Sequence, residues 1–138
     1  MLNDVEWAED GVYTPQGEHT PHEFFSNALS NSLMFDIQLG YFNSAAINVL
    51  SSSFATFISN GGFMRMAINQ IVSAKDKAAI SSGLEGGLDA PFDLTCWESI
   101  KAGLDEYGEH FFKCLAYLIQ EKRIEIQIIK PKATSGIA

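Results

Sequence analysis

The pattern of apolar and polar residues predicts three strands separated by helices. Apolar side chains predominate from Phe35 to Leu39, where Asp36 and Gln38 interrupt them, and from Phe63 to Ile68, and they alternate with polar ones from Ile124 to Ile129. Short runs of this kind are typical of strands. The first run extends on both sides, from Leu33 to Phe42, which is typical of a strand covered on both faces. We therefore predict an α/β domain with three layers and a mostly parallel sheet of about three strands flanked by helices.

Between the strands, apolar residues recur at helical spacing. One helix is predicted from Ser44 to Ser59, and it ends at Asn60-Gly61-Gly62. A strand, a helix, a tight glycine turn and a second strand predict a right-handed parallel βαβ unit. Ser73 with Asp76 predicts the N-cap of the next helix, which spans Ala74 to Ser82.

A glycine-rich run follows that helix. We interpret Gly83, Gly86 and Gly87 as a flexible turn, because a phosphate-binding loop follows a strand and ends in Gly-Lys-Ser/Thr. Thr95 with Glu98 then predicts the start of another helix. A strongly amphipathic helix comes after it and leads into the third strand.

Composition places the chain among globular proteins. Its 138 residues fit one domain, and 46% of them are hydrophobic. We divide it into an N-terminal arm (residues 1–18), a domain (19–132) and a tail (133–138). No apolar run approaches the roughly 18 residues of a membrane span, so no membrane partner is expected. The N-terminus has no basic region followed by an apolar core, so a cytoplasmic location is predicted.

Charge argues against an independent nucleic-acid binder. The net charge is -8, whereas proteins that bind nucleic acid need a positive surface to displace counterions. The first 64 residues contain no Lys or Arg, while Lys122, Arg123, Lys130 and Lys132 crowd the C-terminal end. These four residues fit a small basic patch, and they also fit the ordinary flanks of a strand.

The chain contains no self-sufficient set of catalytic residues. Ser44 follows a strand without the G-x-S-x-G pattern of a nucleophile, so we interpret it as a helix cap. His19 and His22 have no further ligands nearby, and Cys96 and Cys114 stand 18 residues apart without neighbouring cysteines. We therefore predict no catalytic residue, no metal site, no disulfide and no cofactor.

Two charged residues interrupt the apolar strands. Asp36 lies inside the first strand and Arg65 inside the second. If the strands are neighbours, the two side chains can pair on one face of the sheet. They can equally point separately into solvent near the strand ends, and the sequence leaves both arrangements open.

Several of these segments together resemble a known family. The strand ending in Gly40-Tyr41-Phe42, the turn Asn60-Gly61-Gly62 with Arg65, and the stretch from Ala116 to Pro131 are similar to the N-terminal part of a phospholipase D-like domain. The closest similarity is to nuclease-type domains at the N-terminus of bacterial DEAD/DEAH-box or SNF2-type helicases and of restriction or defence proteins. The resemblance covers residues 20–132 and implies half of a phospholipase D-like fold.

The catalytic motif of that family is missing from the chain. The family uses H-x-K motifs, in which one His attacks phosphorus and a second His protonates the leaving oxygen. Neither His19, His22 nor His110 is followed by Lys at the required position. In the family, a segment similar to Gly136-Ile137-Ala138 runs directly into the motif, so we expect a fragment cut before it or a natural inactive version.

The resemblance implies a scaffold for phosphodiester chemistry on DNA or RNA, within a parent helicase or restriction-type protein. Tyr41, Asn43 and Ser44 would lie near the phosphate site. Nucleic acid would be a partner through the parent protein, and pairing of half-sites in the family makes a homodimer an expectation. The alternative is a non-enzymatic interaction or dimerisation module that docks a partner at its sheet edge.

Overall fold

The computed structural model of the protein describes residues 21–71 and 73–129. The predicted arm (1–18) and tail (133–138) lie outside the described residues, as do Thr20 and His19. Within the described ranges, no helix has the length and apolar character needed to cross a membrane. The elements, in chain order, are α1 (Pro21–Ser30), β1 (Met34–Phe42), α2 (Ala45–Val49), α3 (Ser51–Ser59), β2 (Phe63–Ile71), α4 (Ala74–Glu85), α5 (Trp97–Asp105), α6 (Glu109–Gln120) and β3 (Ile124–Ile128).

The three strands form one parallel sheet in the order β1-β2-β3. Asp36 of β1 pairs in register with Arg65 of β2, and Arg65 pairs with Glu125 of β3. The predicted mixed α/β class with a parallel three-stranded sheet is confirmed. Each strand is joined to the next through helices, as parallel pairing requires.

The helices of the described part pack against one face of the sheet, so the layering differs from the three-layer prediction. In β1, half-buried Phe35, Ile37 and Leu39 alternate with exposed side chains. The strands follow one another across the sheet in the order β1-β2-β3. Because each crossover is right-handed, the helices of both crossovers lie on the same face of the sheet. Apolar residues also occupy exposed strand positions, such as Met34 at 62% exposure, so the mostly apolar sequence of β1 did not indicate burial on both faces.

The side of the sheet that the described residues leave uncovered is polar, and we call it the open face. Its exposed or half-buried residues come from all three strands. They are Asp36, Gln38, Arg65, Ala67, Glu125 and Gln127. This composition explains how a parallel sheet tolerates water on one side, although parallel sheets are usually covered on both.

The covered side carries the core. Met64, Met66 and Ile68 of β2 and Ile124 of β3 are buried there, each at 5% exposure or less. They pack against the helical residues Phe54, Phe57, Ile58, Ile100, Leu104, Phe111, Leu115 and Leu118, which are also buried. Burial of this many large apolar side chains is the main stabilising contribution to the fold.

The helix predicted from Ser44 to Ser59 is divided in two. Leu50 has φ −99° and ψ 21°, which separates α2 from α3. The residues beside the break bind the end of α5: Asn48 Nδ2 donates to the Leu104 carbonyl at 2.8 Å, and Ser51 Oγ donates to Asp105 Oδ1 at 3.1 Å. These hydrogen bonds join residues that are far apart in the sequence. Helical periodicity is a local pattern, so it could not predict the break.

Gly83 lies inside α4 and is buried, which corrects its interpretation as part of a flexible turn. A Cβ atom at this position would stand 2.6 Å from the Ala116 carbonyl oxygen and 2.7 Å from Ile119 Cβ. The glycine therefore permits close contact between α4 and α6. Gly86 and Gly87, with φ +79° and +75°, form the turn that follows.

Candidate functional site

The carboxyl ends of β1 and β2 bring two polar side chains into the interior. β1 leads through Asn43 to Ser44, the N-cap of α2, while β2 leads to Ser73, the N-cap of α4. Asp76 stands in the first turn of α4. Because the strands are parallel neighbours, both helix starts lie at one edge of the sheet, where open α/β sheets bind ligands. Ser44 and Asp76 each have 0% exposure.

Hydrogen bonds join these residues into a strand-end cluster, which consists of Ser44, Asp76 and Tyr107. The Ser44 backbone N–H donates to Asp76 Oδ2 at 3.1 Å, and the Ser44 hydroxyl donates to Asp76 Oδ1. Ser44 Oγ also lies 3.1 Å from the Tyr107 hydroxyl. Both carboxylate oxygens thus have a donor, as a buried acid requires. The positive end of α4 further favours a carboxylate there.

The cluster connects three segments that are distant in sequence. Tyr107 belongs to the loop between α5 and α6, and its ring contacts Phe111 and Phe112 at centroid distances of 4.8 Å and 5.2 Å. Its hydroxyl reaches the start of α2 through Ser44. The cluster therefore positions the loops at the carboxyl edge of the sheet. Its carboxylate is fully buried and cannot contact a substrate directly.

The structure separates the three residues predicted to lie near a phosphate. Tyr41 is 67% exposed at the end of β1. Asn43 is exposed, and its Oδ1 accepts the Ala45 N–H at 2.9 Å. The Ser44 hydroxyl is directed into the interior and is used by Asp76. Only Tyr41 and Asn43 present side-chain atoms to solvent, and their proximity to a phosphate site stays a prediction.

The sequence pattern placed Asp76 in a helix cap and gave no reason to single out Tyr107. Asp76 N does donate to Ser73 Oγ at 3.3 Å, but the Asp76 carboxylate turns towards Ser44. One signal was present in the sequence: each of the first two strands is followed by a helix that begins at a short polar residue. Tyr107 gave no comparable signal, because its contact depends on the path of a loop 63 residues away from Ser44.

Asp36 and Arg65 form a bidentate ion pair on the open face. Arg65 Nε donates to Asp36 Oδ1 at 2.8 Å, and Arg65 Nη2 donates to Asp36 Oδ2 at 2.6 Å. These hydrogen bonds lower the pKa of Asp36 below its ordinary value. The same hydrogen bonds raise the pKa of Arg65 above its ordinary value. Both side chains are about half exposed, at 54% and 52%. Solvent therefore screens the pair strongly.

The open face has a shallow depression of about 360 Å³ around this pair. Ala67 is its small central residue, with Gln38 and Gln127 on the flanking strands in the same register row. The guanidinium of Arg65 is held by Asp36 and lies beside Glu125 in register. Among the described residues, the depression therefore offers no free cation for a phosphate group.

A wider cleft of about 840 Å³ lies between α4, α6 and the loop after α4. Lys75 Nζ stands 5.9 Å from the centre of the Phe112 ring at one side of it. Within residues 21–71 and 73–129, the charged or titratable side chains that line the cleft are Lys75, Asp89, Glu109, His110 and Lys113. Since acids and bases are mixed there, the cleft shows no preference for an anion or a cation.

The described histidines and cysteines do not assemble into a reactive centre. His22 on α1 and His110 on α6 are exposed. Across residues 21–71 and 73–129, no three His, Cys, Asp or Glu side chains are grouped as metal ligands. Cys96 and Cys114 are free, and burial raises the pKa of the Cys114 thiol to about 12. That thiol is therefore protonated at neutral pH and is a poor nucleophile.

Comparisons of the chain with protein-family models, with curated proteins and with solved structures find no match.

Proposed function

We propose that this chain is the scaffold portion of a phospholipase D-like phosphodiesterase or nuclease domain. Its parent would be a bacterial helicase or restriction-type protein that acts on DNA or RNA. The chain by itself would be catalytically inert, because no His in it is followed by Lys in an H-x-K pattern. Support comes from the resemblance of the Gly40-Tyr41-Phe42 and Asn60-Gly61-Gly62 segments and from the parallel sheet, in which the first segment ends β1 and the second precedes β2.

The observation that carries the proposal is the carboxyl edge of the sheet. There Tyr41 and Asn43 are exposed at the end of β1, and the buried Ser44–Asp76 contact fixes the turn that holds them. Strand ends of this kind place ligand-contacting groups in open α/β sheets. In the proposed site, a His from an H-x-K motif attacks phosphorus, a second His protonates the leaving oxygen, and water then hydrolyses the phosphohistidine.

The test compares two polypeptides on bis(p-nitrophenyl) phosphate. One is the 138-residue chain, and the other is the longest product of the reading frame that contains it. We expect no turnover by the first. The second should carry H-x-K and hydrolyse the diester, and replacement of the motif His by Ala should abolish this activity. Turnover by the 138-residue chain, or a complete reading frame without the motif, would contradict the proposal.

A second candidate is a non-enzymatic interaction or dimerisation module. It is favoured by the outer edge of β1, which has no strand partner among the described residues. Exposed apolar side chains lie at or near this strand, including Leu33 at 53% and Met34 at 62%. Exposed edges with apolar residues pair readily with other chains. A reading frame that stops after Ala138, together with a specific binding partner, would favour this module over the nuclease scaffold.

The partners and compartment follow from the leading proposal. Nucleic acid would be bound through the parent protein, since the net charge of -8 disfavours binding by this chain alone. A homodimer would join two half-sites. The protein would act in the cytoplasm, a reducing compartment that suits the two free cysteines, Cys96 and Cys114.

A further inference from the structure

An apolar groove runs along β1 on the covered side of the sheet, and we call it the β1 groove. It has a volume of about 150 Å³. Side chains of α1, α2, α3 and the α2–α3 junction form its walls, and side chains of β1 and β2 form its floor. The residues that define it here are Phe25, Leu29, Ile37, Leu39, Ala46 and Leu50.

The groove leaves part of the core incompletely covered by the described residues. Ile37 and Leu39 of β1 are only half-buried, whereas the matching residues of β2, Met66 and Ile68, are at 5% and 0% exposure. None of the six defining residues carries a charge. An occupant must therefore bind by apolar burial and by shape, not by ion pairing.

We propose that the segment preceding α1, residues 1–20, fills the β1 groove of its own chain, with Trp7 as the main apolar anchor. This segment continues directly into α1, the helix that supplies Phe25 and Leu29 to one wall. Twenty residues reach up to about 65 Å when extended, and a nine-residue strand is only about 30 Å long. Although the segment is covalently joined to α1, it is therefore long enough to reach any part of the groove.

The covalent connection to α1 also favours residues 1–20 over a second copy of the chain as the occupant of the groove. A short linker gives a tethered group an effective concentration on the order of millimolar, which exceeds the working concentration of a typical protein in solution. The segment carries Trp7, Val12 and Tyr13, together with five acidic residues and no Lys or Arg. Its apolar residues match the uncharged walls, and the acidic residues would remain at the solvent side.

The test uses the full chain labelled with 5-fluorotryptophan, which gives one fluorine NMR signal for Trp7 and one for Trp97. Trp97 serves as the internal reference, because its Nε1 donates to the Ser52 carbonyl at 3.1 Å within the folded domain. We expect the fluorine chemical shift of Trp7 in the folded protein to differ from its chemical shift in urea. Ala46→Glu places a charge at the groove. This substitution should change the chemical shift of Trp7 to the value that it has in urea.

Val49→Glu is the matched control, because Val49 lies on the same helix and is 65% exposed but does not line the groove. It should leave both signals unchanged. Chymotrypsin cleavage after Trp7 and Tyr13 should accelerate about tenfold in Ala46→Glu alone, since cleavage follows the population of the open form. The proposal is wrong if Trp7 of the unmodified chain already has the urea position. It is equally wrong if the Trp7 signal changes with protein concentration and sedimentation shows a dimer.

Discussion

Asp76 accepts hydrogen bonds from both the backbone N–H and the hydroxyl of Ser44, although the two residues are 32 positions apart. The contact ties the start of α2 to the first turn of α4 at the carboxyl edge of the sheet. Both residues have 0% exposure, so water cannot replace a lost donor without entering the interior. This contact therefore links the two helix starts that follow the paired ends of β1 and β2.

Ser44→Ala should destabilise the protein. The substitution removes the hydroxyl donor and leaves Asp76 Oδ1 buried without it, which costs about 1–3 kcal/mol. Urea unfolding followed by circular dichroism measures the loss in the free energy of unfolding. Ser52→Ala is the matched control, because Ser52 lies exposed on α3, and a surface substitution there should change stability by less than about 0.5 kcal/mol. Equal effects of the two substitutions would refute the role given to Ser44.

Asp36→Asn should lower stability at neutral pH, and the effect should disappear in acid. The folded-state pKa of Asp36 is lowered from 3.8, first by the hydrogen bonds from Arg65. A lowered pKa contributes stability above pH 3.8, and that contribution is lost as the pH falls through the lower folded value. Carboxyl-carbon NMR titration measures the pKa, and urea unfolding at neutral and acid pH measures the stability difference.

Glu125→Gln provides the comparison for the ion pair. Glu125 stands beside Arg65 in register and acts on it only through its charge. The substitution should therefore change stability less than Asp36→Asn does at neutral pH. Salt at 1 M should reduce both effects, because the side chains of the pair are half exposed. An Asp36 pKa at or above 3.8 would show that the pair does not form in solution.

Cys114 should resist thiol reagents in the folded protein, whereas Cys96 should react. Cys114 is at 0% exposure, and burial raises its pKa to about 12, so about one thiol in ten thousand is ionised at pH 8. Cys96 is half-buried. Titration with Ellman's reagent should detect one thiol per chain before denaturation and two afterwards. Cys96→Ser should remove the signal of the folded protein, and rapid reaction of that variant would contradict the burial of Cys114.

Gly83→Ala should destabilise the protein, although alanine usually favours a helix. The added Cβ would lie 2.6 Å from the Ala116 carbonyl oxygen, so α4 and α6 must move apart. Overpacking of this kind costs about 1–3 kcal/mol, which exceeds the gain of about 0.5–1 kcal/mol from helix propensity. Gly40→Ala is the control, because no atom lies within 4 Å of its added Cβ. Thermal unfolding should show a lower melting temperature for Gly83→Ala only.

The helices and strands could be predicted from the sequence more accurately than the faces of the sheet that they cover. The parallel order of the strands followed from strand, helix and strand in sequence, since parallel neighbours need a crossover. The three-layer prediction was less accurate, because an apolar run cannot distinguish a strand covered on two faces from one with exposed apolar residues such as Met34 and Tyr41. Gly83 was misassigned for a related reason, since a glycine required by helix packing has the same local appearance as one in a turn.

The sequence by itself determined the type and order of the elements and the absence of an H-x-K motif, because periodicity, caps and motifs are local properties of the chain. Only the tertiary structure decided that Asp36 meets Arg65, that Asp76 turns to Ser44 and Tyr107, and that one face of the sheet stays open among the described residues. Those contacts depend on strand register and on how the crossover helices pack. Both are set by the burial of the whole core and not by any single segment.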